Sequence, residues 1–243
     1  MPICTKEEFY KKLNGVFELC SLPLPTVEQS EKLYCLSQEL CEYGKNVNLT
    51  AITDIDGIIL KHIADCASMA DIPQKNARVL DVGAGGGFPS LPIAILRQDV
   101  RVISLDSTSK KLVFIDRMAN IAKLNNISTL HARAEEASNG PLRESFDFVC
   151  ARAVASMPML CELCLPFVKK GGIFCAMKSA NEDVSECNRA VTTLGGKISQ
   201  VKEFSLTDGD QTVSRTLIII EKVSHTPDTY PRKFSNIKAK PIV

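Results

Sequence analysis

The chain opens on helical periodicity and changes to strand-like runs after Asn76. Thr5 with Glu8 and Thr26 with Gln29 are spaced as capping-box pairs, each ahead of apolar residues at helical spacing. Leu33, Leu36, Leu40 and Tyr43 form one stripe, which Gly44 is placed to end. A third helix is expected from Thr53 through Ile58, Ile59, Ile63 and Ala67 to just before Pro73. Beyond Asn76, short β-rich runs at 78–82, 100–105, 127–131, 146–150 and 172–177 alternate with helical stretches at 87–97, 108–124, 156–168 and 182–194. Two further runs, 197–204 and 213–222, follow one another without a helix, which predicts an antiparallel pair at a sheet edge. Alternation with short connections requires parallel strands and right-handed crossovers. The fold class is therefore α/β and Rossmann-like, with a seven-stranded, mostly parallel sheet over 77–224. A helical extension (1–76) precedes it. A basic tail (225–243) with Pro227, Pro231 and Pro241 follows and is expected to be extended.

With 243 residues, 45% of them hydrophobic, the chain can bury one sizeable core and carry a small appendage. Its net charge of +1 names no partner, but the charge is uneven: 1–76 hold 7 Lys/Arg against 11 Asp/Glu, and 77–243 hold 22 against 17. The sheet-bearing part is thus positive, which permits a polyanionic substrate. No run of 18 apolar residues occurs, and the charged start Met1–Lys12 is unlike a signal peptide, so a cytoplasmic protein without a membrane partner is expected. Ten cysteines are scattered along the chain; Cys161 and Cys164 form a C-x-x-C with no second pair or nearby His. Buried thiols are expected there, and no metal.

The run Arg78-Val79-Leu80-Asp81-Val82-Gly83-Ala84-Gly85-Gly86-Gly87-Phe88 carries the chemistry. A strand, a glycine loop and a helix start in that order expose peptide N–H groups to a nucleotide-like ligand. A dinucleotide fingerprint would need glycine at 88, where Phe stands, and Asp81 would repel a pyrophosphate. A ligand with an ammonium and a sulfonium, S-adenosylmethionine, suits an acid there, and Asp81, Gly85 and Gly87 are possible contacts. The expected fold is then that of a class I S-adenosylmethionine-dependent methyltransferase.

Ligands of such sheets bind at the carboxyl ends of the strands. Asp106 ends the second run and can accept from both hydroxyls of a ribose, although it would also serve as a helix cap. Ala134 and Glu135 follow the third run, where a base edge would lie; Glu136 there reads equally as solvated surface. Arg152 and Lys178 end the fourth and fifth runs between apolar residues, as cations facing a cleft or as partners of a neighbouring acid. Lys110 and Lys111 open a helix, where a phosphate partner or plain solvation accounts for them. His62 and Asp65 lie one turn apart on one face and read first as a packing pair.

The chain resembles the bacterial RsmG (GidB) enzymes, small-subunit ribosomal RNA methyltransferases, over roughly 45–242. The resemblance rests on Asn48-Leu49-Thr50, Lys61-His62-Ile63-Ala64-Asp65, and Asp81 to Pro89. Leu105-Asp106-Ser107 with Lys110-Lys111, Arg133-Ala134-Glu135-Glu136, Arg152-Ala153, Lys178 and Tyr230-Pro231-Arg232-Lys233 continue it. It implies a cofactor site of Gly83, Phe88, Asp106, Ser107, Thr108, Ala134, Glu135 and Arg152. It also implies a guanine acceptor, methylated at N7, at position 527 in the 530 loop of 16S rRNA, in the 30S subunit or its precursor. Val154, Ser179 and Cys66 depart from the usual Phe, Gly and Ser of that family.

Guanine N7 offers a lone pair and no proton, so no general base is needed; positioning and electrostatics suffice. An Asn/Asp-Pro-Pro-aromatic motif, used on exocyclic amines, and a Pro-Cys nucleophile, used at pyrimidine C5, are both missing from the sequence. On this reading Arg152 and Lys178 position substrate or cofactor, while Lys110, Lys111, Arg133, Arg232 and Lys233 meet RNA. With 6% aromatic residues and no Trp, stacking surfaces are few, which favours recognition of a preformed RNA shape. Two other classes are compatible with the loop alone: a methyltransferase for a protein or small molecule, and a binding module without catalysis.

Overall fold

A computed structural model describes residues 4–44, 47, 49–152, 155–180 and 183–243. Their strands are β1 (Arg78–Val82), β2 (Arg101–Asp106), β3 (Ile127–His131), β4 (Phe146–Arg152), β5 (Val168–Ser179), β6 (Gly196–Thr207) and β7 (Thr212–Lys222). They form one seven-stranded sheet in the order β3-β2-β1-β4-β5-β7-β6. β1 to β5 run parallel, and β7 is antiparallel to both β5 and β6. The expected antiparallel edge pair is thus present. Because the chain moves outward from β1 on one side and from β4 on the other, a crevice opens above their carboxyl ends.

Both sheet faces are covered, which is why the strands read as continuous apolar runs. Val79, Phe148 and Cys150 point into one layer of core with Phe9, Leu13, Leu33, Leu36, Ile58 and Ile115. Leu80, Val149 and Ala151 point into the other, with Leu160, Phe174, Ile218 and Ile237. The N-terminal helices α1 (Lys6–Leu19) and α2 (Val27–Tyr43) therefore extend the first layer. Thr26 and Gln29 form the full capping box on α2, and the same Gln29 donates to the Leu96 carbonyl at 3.0 Å, tying the cap to the sheet domain.

The third helix departs from its expected form. Asp54, not Thr53, caps it, accepting from the Gly57 N–H at 2.6 Å. It runs as α3 (Ile55–Ile58), a π-helical segment Ile59–Ala64 and α4 (Asp65–Ala67). In the alternating part the helices are α5 (Ser90–Leu96), α6 (Ser109–Ile121), the short α7 (Ala134–Ala137), α8 (Met157–Cys164) and α9 (Asn188–Thr193). The tail is not extended: it ends in α10 (Phe234–Ala239), whose Ile237 is fully buried in the second layer. Phe234 and Ile237 are three residues apart, one helical turn, and that apolar spacing outweighs the surrounding lysines. Cys150, Cys161, Cys164 and Cys175 all lie in the core; burial pushes the Cys175 thiol up to about 12. Among the described residues no helix is long and apolar enough to cross a membrane.

Candidate active site

The glycine loop is shaped by Gly83, Gly85 and Gly87, whose φ values of 75°, 57° and 86° are left-handed. A Cβ on Gly87 would lie 2.4 Å from a methyl of Leu91, whereas one on Gly85 would meet only the Gly83 carbonyl oxygen, at 3.9 Å. The loop leans over β2: the Gly83 and Ala84 N–H groups donate to the Leu105 carbonyl at 2.8 and 3.0 Å. Asp106, buried at the end of β2, accepts from the Gly85 N–H at 2.9 Å through Oδ2 and from the Thr108 N–H at 2.8 Å through Oδ1. Each oxygen keeps acceptor capacity beyond these two bonds.

Around Asp106 lies a cavity of about 320 Å³. It brings together Gly83, Asp106, Ser107, Thr108, Ala134 and Glu135 of the expected cofactor set, together with Lys111 and Arg133, which the sequence assigned to RNA. Leu163 and Phe234 also line it and were not anticipated. Asp81 does not line it. That residue is fully buried, and its Oδ2 accepts the Ser90 N–H at 3.1 Å, capping α5. Burial pushes its carboxyl up to about 7, so it is a poor partner for a ligand's ammonium.

Phe88 and Arg152 are likewise outside this cavity; Arg152 lines a second one, of about 420 Å³, at the carboxyl ends of β4 and β5 beside the start of β7, and Phe88 packs on His62 of its lining. The Arg152 guanidinium donates to the Lys61 carbonyl at 3.0 Å, to Asp65 Oδ2 at 3.3 Å and to His62 Nδ1 at 3.0 Å. Since a guanidinium only donates, Nδ1 must be the acceptor, and the Nε2–H then donates to Thr50 Oγ1 at 2.8 Å. Burial, and then the Arg152 charge, push the His62 pKa down to about 3. The imidazole also stacks on Phe88 at 4.5 Å, and Arg152 lies 5.4 Å from the same ring. Asp65 accepts a second guanidinium at Oδ1, from Arg215 at 3.0 Å. Burial raises the Asp65 carboxyl, and Arg215 and Arg152 pull it back down. His62 and Asp65 thus orient Arg152 rather than forming a mere packing pair. Lys178 lines this cavity too, and its Nζ donates to the Ala155 carbonyl at 3.1 Å. Arg215 escaped sequence reading because only the register of β7, which sets it opposite Ser179, brings it here.

Leu49 of the Asn-Leu-Thr element packs on the loop at Gly86, and Thr50 holds His62. Asn48, Ala153 and Val154 lie outside the described residues. Among the other departures, Cys66 is a buried core residue and Ser179 lines the second cavity.

The expected RNA contacts divide. Lys110 and Lys233 are exposed. Arg133 is engaged instead with Glu135 at 2.6 Å and lies 4.9 Å over the Phe234 ring. Arg232 is occupied by Glu162, a fully buried carboxylate, which accepts from its Nε at 2.9 Å and its Nη2 at 2.6 Å. A buried carboxylate demands such a partner, so Arg232 serves the fold rather than a phosphate. No group of three or more His, Cys, Asp or Glu among the described residues is arranged to hold a metal ion.

Comparison with known proteins agrees with this geometry. In solved structures, the TYW2 protein of M. jannaschii in complex with AdoMet superposes with a TM-score of 0.54 at 18% identity, covering 67% of this chain and 76% of that one. The YcgJ protein of Bacillus subtilis gives a TM-score of 0.51 at 15% identity, covering 68% and 100%. Both share the fold. In sequence, the ribosomal RNA small subunit methyltransferase G of Clostridium perfringens (strain SM101) is 41% identical over 220 residues, 88% of this chain and 91% of that protein. That of Acetivibrio thermocellus is 43% identical over 218 residues, 88% and 89%. The family model GidB, rRNA small subunit methyltransferase G, matches residues 29–213. A chain matched over that span, with relatives at this identity along nearly their whole length, belongs to the GidB family of ribosomal RNA small subunit methyltransferases.

Proposed function

We propose that this protein transfers the methyl group of S-adenosylmethionine to N7 of guanine 527, in the 530 loop of 16S ribosomal RNA, on the 30S subunit or its precursor. A cytoplasmic location accompanies a ribosomal substrate. The observation that carries the reading is the pairing of two unlike cavities along one sheet edge. The first has the donor set of a nucleoside site: Asp106 for ribose hydroxyls, Ala134 and Glu135 for a base, and Gly83 of the glycine loop in its wall. The second is cationic, with Lys61, Arg152, Lys178 and Arg215 against a single carboxylate, Asp65.

S-adenosylmethionine, held in the first cavity, supplies an electrophilic methyl on a sulfonium. The chain's own residues then have one task, to hold the guanine so that its N7 lone pair lies in line with that methyl. Arg152 is prepared for it: three acceptors immobilise its guanidinium, and neutral His62 takes no proton from it or from the substrate. Asp65 offsets part of the cationic charge, and the surplus suits RNA phosphates. The cofactor contacts of Phe88 and Arg152 become indirect on this reading, since Arg152 lines the second cavity and Phe88 packs against Arg152 and His62.

The test is methyl transfer by the full chain from radiolabelled S-adenosylmethionine to 30S subunits lacking the modification, with deproteinised 16S rRNA and ribosomal proteins as parallel acceptors. Label recovered as 7-methylguanosine is expected. Label in another nucleoside, or in protein, would overturn the assignment.

A further inference from the structure

The C-terminal segment, read from sequence as an RNA-facing tail, is bound back onto the sheet domain by two latches. In the first, the Arg143 guanidinium donates to the carbonyls of Thr226 at 2.7 Å and Tyr230 at 2.8 Å. Glu144 accepts the Thr226 N–H at 2.7 Å, and the fully buried Lys222 sits 3.1 Å from the same carboxylate. In the second, Glu162 of α8 receives the Arg232 backbone N–H at 2.9 Å as well as its guanidinium. Glu162 is next to Leu163, which lines the first cavity. Two residues beyond Arg232, Phe234 reaches the same cavity, with the Arg133 guanidinium 4.9 Å over its ring and Arg133 itself paired to Glu135.

We infer that the tail is a working part of the cofactor site: Phe234 is the aromatic wall against which the cofactor's base packs, and Arg232 is the residue that positions it. This rests on the nucleoside reading of the first cavity. Asp106 ends β2 and Ala134 follows β3, so a ribose on Asp106 directs its base toward Ala134, Glu135, Leu163 and Phe234. That end combines an apolar surface with one carboxylate, the pairing that suits a base with a flat face and a polar edge. Arg133 lies over the Phe234 ring and ties the wall to Glu135, so ring and carboxylate are held as one unit.

The experiment is calorimetric titration of S-adenosylhomocysteine into the full chain and its Phe234→Ala, Phe234→Tyr, Arg232→Ala and Asp106→Ala variants, with ligand-free melting as a check on folding. Loss of a stacking ring is expected to weaken binding about tenfold in Phe234→Ala, while Phe234→Tyr stays near the parent. Arg232→Ala should weaken binding in the same direction, and a double variant carrying Phe234→Ala and Arg232→Ala should lose no more than Phe234→Ala alone, because the latch acts through the ring. In turnover, KM for S-adenosylmethionine should rise with KM for the ribosomal substrate unchanged. If Asp106→Ala weakens binding and Phe234→Ala does not, the wall is refuted and the nucleoside site stands. If the parent chain binds no S-adenosylhomocysteine, the nucleoside reading falls and the wall with it.

Discussion

Asp106 joins two loops and one ligand-facing cavity through a single carboxylate. Its oxygens already hold the Gly85 and Thr108 N–H groups, so the substitution Asp106→Asn leaves one of those donors facing an amide N–H. Asp106→Ala is expected to weaken S-adenosylmethionine binding by about 1.5–3 kcal/mol, the range for hydrogen bonds to a charged group; unaltered affinity in calorimetry would remove Asp106 from the site. His62 and Asp81 set opposite pH slopes. The imidazole stays neutral down to about 3 against an ordinary 6.5. Between those values the unfolded chain takes up the proton and the native protein does not, so this contribution to stability is lost as pH falls. His62→Gln should therefore lose its disadvantage in urea stability as pH drops from 7 to 4, and a constant gap would contradict the neutral-imidazole account. Asp81 titrates near 7 against 3.8, so the native state keeps a proton that the unfolded state gives up, and stability falls as pH rises through that window. Asp81→Asn is expected to gain on the parent between pH 4 and 7 in the same measurement; a gain confined to pH above 8 would contradict it.

Elements were legible where the sequence carries a local signal. The seven β-rich runs, the capping box at Thr26 and the loop glycines each follow from neighbours within a few residues. What stayed hidden depends on distant partners. The π-helical segment at Ile59–Ala64 has no distinguishing spacing in sequence. The tail reads as basic and Pro-containing until Glu162 and Arg143 are seen to take up its groups. Asp81 reads as a ligand acid until its burial beneath Ser90 is known. Two glycines test the local part. Gly87→Ala meets Leu91 at 2.4 Å and a φ of 86°, and should cost about 1–3 kcal/mol of stability. Gly15→Ala in α1 meets nothing within 4 Å and should stabilise by about 0.5–1 kcal/mol. Chemical denaturation of both variants measures this, and an equal loss in the two would deny the close loop-to-helix approach.

At the scale of the molecule, the sheet order places a nucleoside-type cavity over β1 to β3 and a cationic cavity over β4, β5 and β7. The sequence held both cavities in outline, since Asp106, Arg152 and Lys178 sit at strand ends and Ala134 follows the end of β3. It missed Arg215 and Phe234, which reach the cavities from an antiparallel strand and from the tail. A polyanionic acceptor bound by this surface requires that apparent affinity for the ribosomal substrate fall steeply with salt through counterion release. Affinity for S-adenosylmethionine should change far less over the same range, and equal slopes in paired KM measurements would argue against RNA. The most direct measurement of the central claim is position mapping of 7-methylguanosine, by borohydride and aniline scission of 16S rRNA, in cells lacking this gene and in the same cells carrying it or its Asp106→Ala form. Scission at guanine 527 that is absent without the gene, restored by the parent chain and not by the variant, is the predicted result. Scission there that is indifferent to the gene would contradict the account.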